Sequence, residues 1–86
     1  VSDLEIVEGI KLLAETEGIF SEPAGGVVVG ALKRLVEDGR VDPDETIVCL
    51  ITGSGLKAAD SLTPYLPEPL TTEPELEQVA RLIAGW

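Results

Sequence analysis

Thr46-Ile47-Val48-Cys49-Leu50-Ile51-Thr52, residues 46–52, is the stretch whose reading decides the fold. It is rich in β-branched side chains and apolar without alternation. Such a run suits a strand covered on both faces, as in a parallel α/β sheet. A strand of that kind needs neighbours, and no other segment of the chain reads as a convincing strand. The neighbours must then come from a longer parent chain or from another copy of this one. One buried strand at about 46–52 is therefore expected.

Working outward, the rest reads as helix. Upstream, Pro23 suits the first turn of a helix spanning about 23–38. Ala24, Val28, Ala31, Leu32, Leu35 and Val36 form its apolar stripe. Gly25, Gly26 and Gly30 lie inside it, where each costs about 1 kcal/mol relative to alanine. Their compensation is close approach of another backbone or of a ligand. Gly39 closes this helix, and Asp42-Pro43-Asp44-Glu45 is a turn. Earlier still, Ser2-Asp3-Leu4-Glu5 is a capping box opening a helix over about 3–17, with Gly18 as its stop. Its buried face is Ile6, Val7, Ile10, Leu13 and Ala14. Ile19 and Phe20 form a short apolar pair, readable as a strand stub. Downstream, Gly53-Ser54-Gly55 is a tight turn, followed by a short helix at about 55–62. Pro64, Pro67 and Pro69 mark residues 63–72 as a linker. Thr72 with Glu75 reads as a second capping box, opening an amphipathic helix at about 73–84 that buries Leu76, Val79, Ala80 and Ile83. This divides the chain into 1–62, the linker 63–72, and the C-terminal helix within 73–86.

Bulk composition narrows the function. The 86 residues permit one small domain or a piece of a larger one. A chain of this size buries only about 60–65% of its unfolded surface, so it is marginal without help. One cysteine and no histidine exclude an internal disulfide and argue against a metal centre. Sixteen acidic residues against six basic give a net charge of −10, the wrong sign for nucleic acid or an anionic membrane. Hydrophobic residues make up 44% of the chain and fall in periodic patterns, which argues against disorder. No apolar run approaches the roughly 20 residues of a membrane span, and no signal peptide is visible. Cys49, inside the apolar run, fits a buried thiol in a reducing compartment, so a cytoplasmic location is expected.

Two segments carry chemistry together: Glu17-Gly18-Ile19-Phe20-Ser21-Glu22-Pro23-Ala24-Gly25-Gly26, and Ile51-Thr52-Gly53-Ser54-Gly55-Leu56-Lys57. With a helix and an acidic turn between them, they resemble the C-terminal part of the large domain in threonine synthases. That family belongs to the tryptophan-synthase-β-like, fold-type-II pyridoxal-phosphate enzymes. The resemblance covers about residues 2–62 and is specific only in the combination of both halves. Serine and threonine dehydratases share part of the first motif, but Gly55-Leu56-Lys57 after the strand favours threonine synthase. The implied fold class is α/β: a C-terminal fragment of a fold-type-II large domain, mostly helical with one buried strand.

The resemblance implies three cofactor-binding residues: Thr52, Glu22 and Gly53. Thr52 matches the hydroxyl that meets the pyridine nitrogen of pyridoxal phosphate. A neutral hydroxyl leaves the ring a weaker electron sink than an aspartate would, which suits elimination and replacement. The residue also reads simply as the end of a strand before a glycine turn. Glu22 matches a glutamate near the ring, or equally an acid favoured at a helix N-terminus. Gly53 and Gly55 let the backbone turn beneath the ring, or make a plain turn. Gly25 and Gly26 line the pocket or serve helix packing. Gly53-Ser54-Gly55 lacks the full pattern of a phosphate loop, Ser54 has no motif support as a ligand donor, and Lys57 reads as a surface or ion-pair residue.

The Schiff-base lysine is not in this chain, since Lys11, Lys33 and Lys57 all lie outside the family's Ser/Thr-rich context, so no catalytic residue is assigned. The chain has no asparagine to match the family's cofactor contact, and the glycine-rich phosphate loop is missing. The expected parent uses pyridoxal phosphate to convert O-phospho-L-homoserine and water to L-threonine and phosphate. The fragment alone is expected to be inactive and to bind no cofactor. Its partners are then the remainder of the parent enzyme and, in isolation, further copies of itself. A self-associating non-catalytic domain and part of a threonine or serine dehydratase remain as alternatives.

Overall fold

A computed structural model describes residues 1–85, apart from the Ser61 side chain. The last residue of the expected 73–86 segment therefore lies outside the described residues. The described residues form three α-helices, α1 (Asp3–Glu17), α2 (Pro23–Glu37) and α3 (Leu76–Ala84), with short 3-10 helices at Gly55–Ser61 and Thr63–Tyr65.

Helix α1 starts where the capping box places it. The Ser2 hydroxyl accepts from the Glu5 amide at 3.2 Å, and the Ser2 amide donates to the Glu5 carboxylate at 3.0 Å. Gly18 closes it in the left-handed region at φ 67°, where a side chain would be strained. The bond from the Ser2 amide, then the Ser2 hydroxyl and the charge of Arg34 at 3.7 Å, holds the Glu5 carboxyl below its ordinary value of 4.5. A carboxyl whose pKa is lowered by folding adds stability above its unfolded pKa and loses it as the pH falls through the folded one. Acidification below about pH 4.5 is therefore expected to fray the first turn of α1, read as a loss of helical circular dichroism that Glu5→Gln removes.

Helix α2 begins at Pro23, as its sequence requires, and packs along α1 through glycines. A Cβ on Gly26 would strike the Ile6 carbonyl oxygen, and one on Gly9 the Gly26 carbonyl oxygen. A Cβ on Gly30 would lie 3.0 Å from the Glu5 carbonyl oxygen. The close approach that the α2 glycines call for is thus supplied by α1. The expected stripe is only partly covered: Val28, Ala31 and Leu32 are half-buried, while Leu35 and Val36 face solvent. The buried core is Val7, Ile10 and Leu62, with Ile6 against it.

The buried strand at about 46–52 is not borne out. No strand forms among the described residues; the segment has no regular secondary structure, and its side chains are poorly covered, Val48 being 79% and Leu50 73% exposed. The physical reason is that β structure is pairwise: a run with strand chemistry and no neighbour has no ladder to join. One side does touch the helices, because Ile51 Cγ2 lies 3.4 Å from where a Gly25 Cβ would sit.

One helix differs in kind and another in its start. The helix expected at about 55–62 forms as a 3-10 helix over Gly55–Ser61, kinked at Ala58 (φ −138°, ψ 32°). The last helix starts at Leu76, not near residue 73, because the capping box does not close. The Thr72 hydroxyl turns to the Glu73 carbonyl oxygen at 3.0 Å, and Glu75 takes the cap position without a side-chain capping bond, its carboxylate accepting from the Gln78 side-chain amide at 3.2 Å instead.

The molecule is long, 52 × 25 × 20 Å. Its radius of gyration is 16.8 Å, against about 12 Å for a compact domain of this length. Its accessible surface is 6735 Å², against about 4,900 Å² for a folded monomer of this mass. Helix α3 shares this exposure, with Leu76 85% and Ile83 60% open.

Candidate functional site

The two sequence motifs, about 25 residues apart, are fastened to one another. The Glu22 amide donates to the Gly53 carbonyl oxygen at 3.0 Å, and the Gly55 amide to the Phe20 carbonyl oxygen at 2.9 Å. These two bonds make an isolated antiparallel bridge between Ser21 and Ser54. The side chains complete the clasp. Glu22 lies over the α-carbon of Gly53, and the Phe20 ring over that of Gly55, so that a Cβ at either glycine would overlap them. Close approach, not turn conformation, is what both positions demand, since neither has positive φ.

Beneath the clasp Ser21 is fully buried, and among the described residues its hydroxyl has no hydrogen-bond partner. It sits against Gly25, whose missing Cβ leaves it room. Ser54 accepts the Leu56 amide at 3.2 Å and so caps the 3-10 turn; this, not ligand binding, is its local role. Lys57 reaches back to the Glu22 carboxylate at 3.5 Å.

Glu22 and Gly53 are thus brought into contact, and Thr52 adjoins Gly53 in the chain. Thr52 is exposed. Among the described residues its hydroxyl has no recorded partner, which leaves a neutral donor free. The sequence reading missed Ser21 and the pairing of Phe20 with Gly55. A serine between two motif residues gave no signal of burial, whereas an aromatic facing a Gly-x-Gly turn was a clue.

The residues present fit one edge of an aromatic cofactor and no more. Thr52 offers a hydroxyl suited to a ring nitrogen, while the space over Gly53 is filled by Glu22. Lys33 is paired with Glu37 at 3.5 Å and Lys57 with Glu22, and Lys11 lines a separate hollow with Glu8, Leu12 and Glu15. No group of three or more metal-ligating side chains occurs among the described residues. No described helix is long and apolar enough to cross a membrane.

A family model for the pyridoxal-phosphate dependent enzymes matches residues 1–53, and the chain belongs to that family. Among individual proteins it is 46% identical to the threonine synthase of Methanocaldococcus jannaschii over 83 residues, 96% of this chain and 20% of that protein. It is 36% identical to the threonine synthase of Methanosarcina acetivorans over 85 residues, 99% of this chain and 21% of the relative. It is 35% identical to that of a Bacillus species over 86 residues, 99% and 24%. The chain spans a quarter or less of the length of the curated relatives it matches.

Proposed function

We propose that this chain is the C-terminal portion of a threonine synthase whose full length converts O-phospho-L-homoserine and water to L-threonine and phosphate. The observation that carries this reading is the clasp. It holds Glu22, Thr52 and Gly53 at one place, in a chain alike to threonine synthases over almost its whole length. The names of the relatives favour this over a serine or threonine dehydratase. Pyridoxal phosphate, when bound, withdraws electrons from the substrate carbons at which bonds break and form. Thr52 would donate its hydroxyl to the ring nitrogen, and Glu22 with Gly53 would close the wall beside it. The lysine that bonds the cofactor belongs to the remainder of the enzyme.

That remainder is also the partner for the uncovered surface. The excess over a compact monomer, about 1,800 Å² on this chain alone, is about twice what one partner buries in a standard protein interface. Val48 and Leu50 are exposed in a segment with strand chemistry and no strand neighbour among the described residues. In isolation the same surface drives self-association. A cytoplasmic enzyme with a reduced Cys49 fits this chemistry, and cell fractionation checks it.

The full-length protein is expected to release phosphate and threonine in equal amounts from O-phospho-L-homoserine, only with pyridoxal phosphate present. The 86-residue chain alone is expected to sediment above the mass of one copy and to trap no stoichiometric cofactor with borohydride. Release of a 2-oxo acid from threonine or serine by the full-length protein, without use of the phosphorylated substrate, would favour the dehydratase reading instead.

A further inference from the structure

We infer that Lys57 is a positioning residue, which holds the Glu22 carboxylate against Gly53 and so shapes the cofactor wall. This rests on the cofactor-site reading above. Glu22 sits at the N-cap of α2, a position at which shorter side chains such as Ser, Thr, Asp and Asn accept a first-turn amide. It makes no such bond. Its backbone amide is fixed on the Gly53 carbonyl oxygen, and its carboxylate is turned over Gly53 towards the Lys57 ammonium at 3.5 Å. Two destinations thus compete for one carboxylate. The positive end of α2 draws it back towards the helix, and Lys57, two residues past Ser54-Gly55, draws it across the turn.

The Lys57 side chain is 65% exposed and that of Glu22 27%. An ion pair so open contributes little to stability. The backbone bonds of the clasp do not depend on it. Loss of Lys57 therefore leaves the fold and frees the carboxylate to swing to α2, opening the face of Gly53 and changing the wall beside Thr52.

The test uses the full-length protein and pyridoxal phosphate itself, titrated into cofactor-free enzyme at low salt. Lys57→Gln is expected to weaken cofactor binding roughly three- to fivefold, with the melting temperature of the cofactor-free form unchanged. Lys57→Arg should restore binding. Glu22→Gln should reproduce the loss, and adding Lys57→Gln to it should bring no more. High salt should shrink the difference between wild type and Lys57→Gln. Wild-type affinity in Lys57→Gln, or a loss that adds to that of Glu22→Gln, overturns the role of Lys57 while the cofactor reading stands. A wild-type protein that takes up no pyridoxal phosphate overturns both.

Discussion

Thr52→Val in the full-length enzyme is expected to lower kcat roughly ten- to a hundredfold, the effect of losing about 1.4–2.8 kcal/mol of hydrogen bonding at the reacting group. Its melting temperature should stay within about 2 °C of wild type, since surface substitutions that break no contact cost little. Valine matches threonine in shape and favours extended backbone. Thr52 is exposed, and among the described residues its hydroxyl serves no structural bond. The substitution thus removes one donor and nothing else. Steady-state turnover of O-phospho-L-homoserine, paired with thermal melting, separates the two effects. Unchanged turnover would mean that Thr52 only ends the apolar segment.

Gly26→Val should have the largest effect on stability, about 3 kcal/mol or more, at the upper end of what overpacking costs. The new Cβ would overlap the Ile6 carbonyl oxygen, lie 2.7 Å from Ile10 Cγ1 and 3.0 Å from Ile6 Cγ2. A flexible side chain gives way to such an intrusion, but a helix backbone does not. The pair α1–α2 would separate, and with it the floor on which Ser21 and Ile51 rest. Gly85→Ala is the control, because its nearest neighbour, the Arg81 carbonyl oxygen, is at an ordinary 3.6 Å. Circular-dichroism melting of the chain should show loss of cooperative helix in the first variant and none in the second.

Much of this architecture is legible in the sequence where the determinants are local. The start of α1 is written in Ser2 and Glu5, its end in Gly18, and the start of α2 in Pro23. The combination of the two motifs likewise marks the residues that the clasp joins. What is not legible depends on distant or missing partners. Gly9 gives no apolar signal, and its contact with Gly26 and Gly30 becomes visible only when small residues on both helices are read as facing one another. The expectation at residues 46–52 fails for the opposite reason. Its chemistry is that of a strand, but hydrogen-bonded neighbours are not encoded in these 86 residues. The sequence puts the start of α3 too early because Thr72 and Glu75 have the spacing of a capping box, whereas the Thr72 hydroxyl donates to the Glu73 carbonyl oxygen instead.

A crystal structure of the full-length protein with pyridoxal phosphate tests the assignment most directly, through the distance from the Thr52 hydroxyl to the ring nitrogen. A hydrogen bond of about 2.7–3.0 Å there, with Gly53 and Glu22 beside the ring, is the expected result. A cofactor bound elsewhere, or a ring nitrogen met by another side chain with Thr52 facing solvent, would contradict it.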